Sequence, residues 1–199
     1  MLASITPLGE RGRSSRWPVT VAFFVAGSTI AAAVLGAAAG LLGALVWPAR
    51  SGGLHPRLGV LATAIAVSIL MDLGLGGARV PSVRRQVNEA WLDEYRGWVY
   101  GLGFGVQLGL GVTTIVTTSA VYVTLVAAWL TADPALGALV VGSFGFVRGI
   151  SLLAAAGVRS TAQLVARHSR LAAWRRRIRA IGLGAQAGLL AVALAASVL

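Results

Sequence analysis

Two charged residues inside long apolar runs are the strongest sign of chemistry in this sequence. Asp72 lies near the end of the run 58–75, and Arg148 lies within the run 134–158. A charge in apolar surroundings is costly and usually has a partner or a function. At 1.5 Å per residue, Asp72 lies roughly 10 Å and Arg148 roughly 16 Å from the next arginine along the chain. An arginine side chain can span that difference, so we predict an Asp72–Arg148 ion pair. The alternative is that each side chain reaches separately toward water.

A strip of polar residues follows one face of the longest apolar run. Its members recur every three or four residues, which is the period of a helix face. They are Gln107, Gly111, Thr114, Thr118 and Tyr122. Hydrogen bonding within or between helices is the ordinary role of such groups, and a substrate or water path is the other interpretation. Gln107, Thr114, Thr118 and Tyr122 are therefore our candidates for a substrate pathway.

The cysteine content, the histidines and the acidic residues of the sequence do not indicate a catalytic or cofactor site. The chain has no cysteine, which excludes disulfides, thiolate metal sites and a dithiol relay from its own side chains. His55 and His168 stand far apart in predicted loops, so we expect no metal site. Glu89, Asp93 and Glu94 stand beside arginines, where solvated ion pairs are the default. We expect neither an enzyme nor a bound cofactor.

Composition indicates a membrane protein. Apolar residues make up 57% and charged residues 12% of the 199 positions, too little polarity to cover a soluble domain. A hydrocarbon core about 30 Å thick needs roughly 20 apolar residues in a helix. The runs that meet or nearly meet this length are 19–46, 58–75, 98–130, 134–158 and 181–199. We predict an all-α fold: one polytopic helical bundle with about five transmembrane helices.

The distribution of arginine predicts the orientation. The 17 basic residues are all arginines, and the formal net charge is +11. With the N-terminus in the cytoplasm, 3 arginines precede the first run, 4 separate the second and third, and 7 separate the fourth and fifth, against only Arg50 and Arg57 outside. Cytoplasmic connections carry the positive excess. We therefore expect a plasma or inner membrane protein with its N-terminus inside and its C-terminus outside. Confinement to short connections favours this explanation over nucleic-acid binding.

Two cytoplasmic connections show helical amphipathicity. In 83–98 and 161–181, apolar side chains recur at helical spacing opposite charged ones. This pattern predicts two interfacial helices lying on the membrane. Their arginines would attract anionic lipids of the cytoplasmic leaflet, and docking of an acidic partner is the alternative.

Small residues at strict spacing of four mark two helix faces for close packing. One stripe runs from Ser28 to Ala44 and the other from Gly97 to Thr117. The positions assigned to helix packing are Gly36, Gly40, Gly101, Gly105 and Gly109. Such faces can also hold a protein partner or a second copy of the chain.

An internal similarity and a family resemblance both point to carrier proteins. The segments FVAGS at 24–28 and LVVGS at 139–143 are alike, and the predicted spans that contain them run in opposite directions, as in inverted-repeat transporters. In addition, FFVAGSTIAAAVLGAAAGLLGAL at 23–45 and the stretch 100–148, from YGLGFGVQLGLGVTT to GSFGFVR, resemble the CcdA/DsbD-like family of cytochrome c biogenesis proteins and the wider lysine-exporter superfamily.

The resemblance implies a carrier scaffold without the family's redox chemistry. Redox-active members carry a cysteine in the first and fourth of six helices. This chain has no cysteine, and its residues 4–8 correspond to the end of the family's first helix. No catalytic residue is carried over.

These observations predict a small transporter or permease. The third run would reach about 50 Å as one helix, so it must tilt, break or project into water. A break near Gly109 and Gly111 would expose backbone groups to a substrate. The alternative is a non-transporting membrane subunit or assembly factor that holds partners through its small-residue faces and basic helices.

Overall fold

A computed structural model describes residues 5–13, 15–47, 53–75, 91–111 and 119–198. Every regular element in these ranges is helical, which confirms the predicted all-α fold. The helices are α1 (Pro7–Gly12), α2 (Trp17–Val46), α3 (Leu54–Leu73), α4 (Trp91–Glu94), α5 (Gly97–Gly109), α6 (Ala120–Thr131), α7 (Pro134–Ile150) and α8 (Thr161–Val198). A 3₁₀ turn, Ser151–Ala155, extends α7.

Four helices in the described ranges are long and apolar enough to cross a membrane: α2, α3, α7 with its extension, and α8. The third apolar run is not one helix, because α5 ends at Gly109 and α6 begins at Ala120. Helix α6 is apolar but short. A fifth span made of α5 and α6 together therefore stays a prediction.

Helix α2 occupies the centre and contacts α5, α6 and α7. Along α5 and then α6, successive residues meet successively later residues of α2, so both short helices run parallel to it. The neighbouring pairs are Gly101 with Thr20, Gly105 with Phe24, Gly109 with Ser28, and Trp129 with Gly43. Together α5 and α6 form one interrupted path along α2.

Helix α7 packs on another side of α2 in the opposite direction. Gly149 lies beside Val25 at one end, and Gly137 lies beside Gly36 farther along. The approach is reciprocal: a Cβ added to Gly36 would lie 2.1 Å from the Gly137 carbonyl oxygen, and a Cβ added to Gly137 would lie 2.3 Å from that of Gly36. The two backbones touch, as small-residue packing allows. The opposite directions are those predicted for the first and fourth spans.

Helices α3 and α8 form an outer antiparallel pair. The ring Nδ1 of His55 lies 3.1 Å from the Ser197 carbonyl oxygen, while the amide of Gln186 donates to Asp72 at the other end of α3. Gly74, with φ +73°, ends α3 in the left-handed conformation that glycine adopts without a steric cost.

The predicted separate interfacial helix at 161–181 is wrong, because α8 runs without interruption for 38 residues, about 57 Å at 1.5 Å per residue. The physical reason lies in the sequence: 161–181 contains neither glycine nor proline and is rich in alanine and arginine, which favour a continuous helix. Half of the other predicted interfacial helix, residues 83–90, lies outside the described residues, and Trp91–Glu94 of its second half form the short helix α4. The last residue of the predicted helix, Trp98, belongs to α5.

Candidate functional site

The candidate site is formed by the end of α5 and the start of α6, which flank residues 112–118 and are called the break below. Helix α5 ends at Gly109, and Gly111 follows with φ +63°, a left-handed conformation in which glycine is favoured. Ser119 then occupies the N-cap position of α6. Gly109 lies beside Ser28, which places the break near the middle of α2 by residue count. A helix end leaves carbonyls without partners, and a helix start leaves N–H groups without partners.

Arg148 of α7 donates a hydrogen bond to the end of α5. Its Nη1 donates to the Leu108 carbonyl oxygen at 3.1 Å, and its guanidinium lies 5.7 Å from the centre of the Phe144 ring. The Leu108 carbonyl is among the last four of α5, and besides Arg148 it accepts from the backbone N–H of Gly111 at 3.1 Å. A helix C-terminus also carries a partial negative charge that favours a cation. Arg148 therefore stabilises the end of α5.

Asp72 of α3 accepts a hydrogen bond from the start of α6. The backbone N–H of Ser119 donates to Asp72 Oδ1 at 2.9 Å, and the Gln186 amide donates to Oδ2 at 3.1 Å. The Ser119 hydroxyl donates to the Ser68 carbonyl oxygen at 2.9 Å and lies 2.6 Å from the Ser68 hydroxyl. Because a carboxylate suits the positive end of a helix, Asp72 supplies a capping acceptor from a neighbouring helix.

The structure thus brings the two candidate charges to one break but gives them different partners. Asp72 bonds the first residue after the break, and Arg148 bonds a carbonyl shortly before it. Arg179 of α8 donates in addition to the backbone carbonyl of Asp72, at the end of α3. The direct Asp72–Arg148 ion pair stays a prediction. Among the described residues, Asp72 accepts from Ser119 at the start of α6, and Arg148 donates to Leu108 at the end of α5.

The predicted polar strip is divided by the same break. Gln107 lies in α5 and Tyr122 lies in α6, both half-buried. Thr114 and Thr118 lie outside the described residues. The strip is therefore not the continuous face of one helix that its spacing suggests.

The five glycines assigned to packing all lie against backbone. Gly101, Gly105 and Gly109 contact α2, where an added Cβ would come within 2.5 Å of a carbonyl oxygen. Gly36 and Gly40 contact α7 and the residue that precedes it in the same way. These contacts hold α5 and α7 beside the middle of α2, and so position Leu108 and Arg148.

A buried polar cluster around Glu10 was missed at the sequence level. Glu10 is fully buried and pairs with Arg13 at 3.0 Å. Its carboxylate also accepts from the Tyr100 hydroxyl at 2.5 Å and the Thr20 hydroxyl at 2.8 Å. Burial lowers the pKa of Arg13, but hydrogen bonds to Glu10 and Tyr100 outweigh it and raise that pKa above its usual value, so the guanidinium stays charged.

A weak signal of this cluster is present in the sequence. Thr6 followed by Pro7 is typical of a helix start, and the Thr6 hydroxyl does accept from the N–H of Gly9. Glu10 and Arg13 are then three residues apart on one helical face. Burial of the pair by α5 depends on long-range packing, which this local pattern does not contain.

No protein-family model, curated protein or solved structure matches the chain.

Proposed function

We propose that this protein is a small integral membrane transporter or permease whose substrate site is the break between α5 and α6. The observation that carries the proposal is the pair of half-helix ends beside the middle of α2, each held by a charged side chain from a neighbouring helix. Irregular backbone within a bilayer is tolerated where it is buried in protein or lines a cavity. Transporters use such half-helix ends to bind substrates and coupling ions.

The break offers recognition groups of both kinds. The end of α5 presents carbonyl oxygens, which bind cations and N–H donors, and the start of α6 presents N–H groups, which bind anions. Asp72 and Arg148 occupy one group at each end. A substrate carrying both charges, such as a zwitterion, would compete for both contacts at once.

The helix pairs provide a way to couple the site to a conformational change. Asp72 comes from α3, which packs on α8, whereas Arg148 comes from α7, which packs on α2. Movement of the α3–α8 pair against the α2–α7 pair would break the Asp72–Ser119 contact and leave the Arg148–Leu108 contact in place. Both pairs are antiparallel, the relation that an inverted repeat generates, and rocking of such units underlies alternating access.

The orientation in this proposal follows the arginine distribution. The N-terminus is cytoplasmic, α5 and α6 together complete a third crossing, and the C-terminus is outside. The parallel course of α2 with α5 and α6, and the antiparallel course of α7, agree with that sequence of crossings.

Flux into proteoliposomes tests the proposal. Purified full-length protein is reconstituted and assayed with radiolabelled zwitterionic amino acids, organic acids and monovalent cations. We expect protein-dependent flux of one class, and a loss of about tenfold or more in Asp72→Asn and Arg148→Gln, because each removes a charge-assisted hydrogen bond of about 1.5–3 kcal/mol. Gln107→Ala and Thr114→Val test the strip in the same assay.

The matched control is Arg170→Gln, which removes a charge from the exposed basic half of α8. It should leave flux unchanged. Equal flux in the wild type and in the break variants, all eluting as monodisperse protein, would remove the break from the mechanism.

One observation favours the second candidate, a non-transporting subunit or assembly factor. The basic half of α8 exposes large apolar side chains between its arginines, at Val165, Leu171, Trp174 and Ile178. A partner could cover this surface. Purification in mild detergent distinguishes the two: a stoichiometric partner that is lost in Trp174→Ala supports the subunit, and a lone monomer or homodimer supports the transporter.

A further inference from the structure

A cavity of about 620 Å³ opens where the N-terminal ends of α2 and α5 meet, away from the break. The ends are in contact, because a Cβ added to Gly97 would lie 2.6 Å from the Thr20 hydroxyl. Three arginines line the cavity: Arg13, Arg16 and Arg96. Glu10 pairs with the first of them, and among the side chains that the structure describes Glu94 is the acid that lines the cavity.

The two remaining arginines stand at positions that their charge disfavours. Arg16 is the N-cap of α2 and Arg96 is the N-cap of α5, and neither makes a side-chain capping hydrogen bond among the described residues. The N-terminus of a helix carries a partial positive charge, so acids or small polar residues are preferred there. Two cations and two positive helix ends around one cavity create a concentrated positive potential that an anion would relieve.

An exposed apolar strip leads away from the cavity along the helices. Val19 and Trp98 line the cavity and are 42% and 46% exposed, and Phe23 follows one helical turn later on α2 with 39% exposure. The Phe23 and Trp98 rings lie 5.7 Å apart, so the strip is continuous between α2 and α5. An anionic group in the cavity with an apolar chain on this strip matches both features.

We propose that this cavity binds the phosphate-bearing headgroup of an anionic phospholipid. Arg16 and Arg96 hold the phosphate, because guanidinium groups bind phosphate oxygens through paired N–H donors. The acyl chain lies along Val19, Phe23 and Trp98. The Glu10 cluster fixes Arg13 and Tyr100 behind the cavity and so maintains its shape.

Native mass spectrometry of the full-length protein in mild detergent tests this proposal. The probes are phosphatidylglycerol, neutral phosphatidylcholine and water-soluble glycerol 3-phosphate. We expect one phosphatidylglycerol to bind about tenfold more tightly than phosphatidylcholine, and Arg16→Gln/Arg96→Gln to abolish most of that preference. Both arginines are exposed, so their replacement leaves the buried packing intact.

The matched control is Arg170→Gln/Arg176→Gln, which removes the same charge from α8. An equal loss of binding in both double variants would show unspecific attraction to basic protein and would overturn the site. Competition by glycerol 3-phosphate as effective as that by the lipid would overturn the lipid source and assign the cavity to soluble phosphate esters. Trp98→Ala should weaken lipid binding and leave glycerol 3-phosphate unaffected.

Discussion

The central helices and the outer helix pair are held together by different means. At the centre, α2 meets α5 and α7 with backbone against backbone at glycines such as Gly36 and Gly105. In the outer pair, α3 and α8 meet through polar side chains at their ends, and a Cβ added to Gly59, Gly184 or Gly188 would have no described atom within 4 Å. A glycine in an apolar helix therefore indicates close packing only where the backbone of another helix lies directly opposite it.

The largest loss of stability is expected where α2 and α7 touch. Gly36→Val would place a branched side chain against the Gly137 carbonyl, and neither backbone can retreat without separating α2 from α7. We expect a loss of about 3 kcal/mol and little monodisperse protein on size-exclusion chromatography. Gly188→Val on α8 is the control and should elute normally. Equal behaviour of the two variants would abolish the distinction between centre and periphery.

The two charges at the break give the next largest effect. Asp72→Arg or Arg148→Asp alone should destabilise by about 1.5–3 kcal/mol, because each places a like charge at a half-helix end and loses a charged hydrogen bond. The double exchange should not restore stability, since each residue then meets the wrong end. The melting temperature in detergent measures this. Restoration by the exchange would instead establish the direct Asp72–Arg148 ion pair.

Tyr100→Phe tests the buried cluster that joins α1 to the central helices. The change removes one of three hydrogen-bonding partners of a buried carboxylate, and we expect a loss of about 1.5 kcal/mol in thermal unfolding. Ser169→Ala is the control, because the hydroxyl of Ser169 is exposed and donates to the Ala166 carbonyl of its own helix. Losses of equal size would show that Glu10 gains nothing from Tyr100.

The smallest effect should have opposite signs in the two regions. Gly184→Ala adds a methyl group to open space and should stabilise α8 by at most about 1 kcal/mol through helix propensity. Gly101→Ala carries the same propensity gain but brings its Cβ to 2.5 Å from the Thr20 carbonyl oxygen, and it should destabilise. Stabilisation in both would mean that α5 can shift away from α2 at low cost.

The helical fold follows from local information, and the functional contacts do not. Long apolar runs predict α2, α3, α7 and the apolar half of α8, and the sequence confines the interruption to the over-long third run. Which of the many glycines there turns left-handed depends on the partners of the freed backbone groups. Gly111 does so beside Arg148, whose hydrogen bond to Leu108 joins residues 40 positions apart.

The partners of the charged residues also cannot be predicted from the sequence alone. Opposite charges in neighbouring apolar runs suggest a pair, yet helix ends compete for the same charges, and the sequence alone does not locate those ends. Glu10 stands among arginines and reads as a solvated residue, but α5 buries it through Tyr100, 90 positions away. The change in polarity near residue 181 suggests two separate elements, but α8 continues across it.

The central position of α2 has a consequence for synthesis of the chain. Gly36 leaves the ribosome about 100 residues before Gly137, the residue whose backbone it will touch, and at roughly 5–20 residues per second this interval is about 5–20 s. During that time the face of α2 around Gly36 lacks α7, the helix that will later cover it. In the proposed membrane setting, lipid chains or an insertion factor must fill this face first and then leave it, so the last step of assembly is displacement of a temporary occupant.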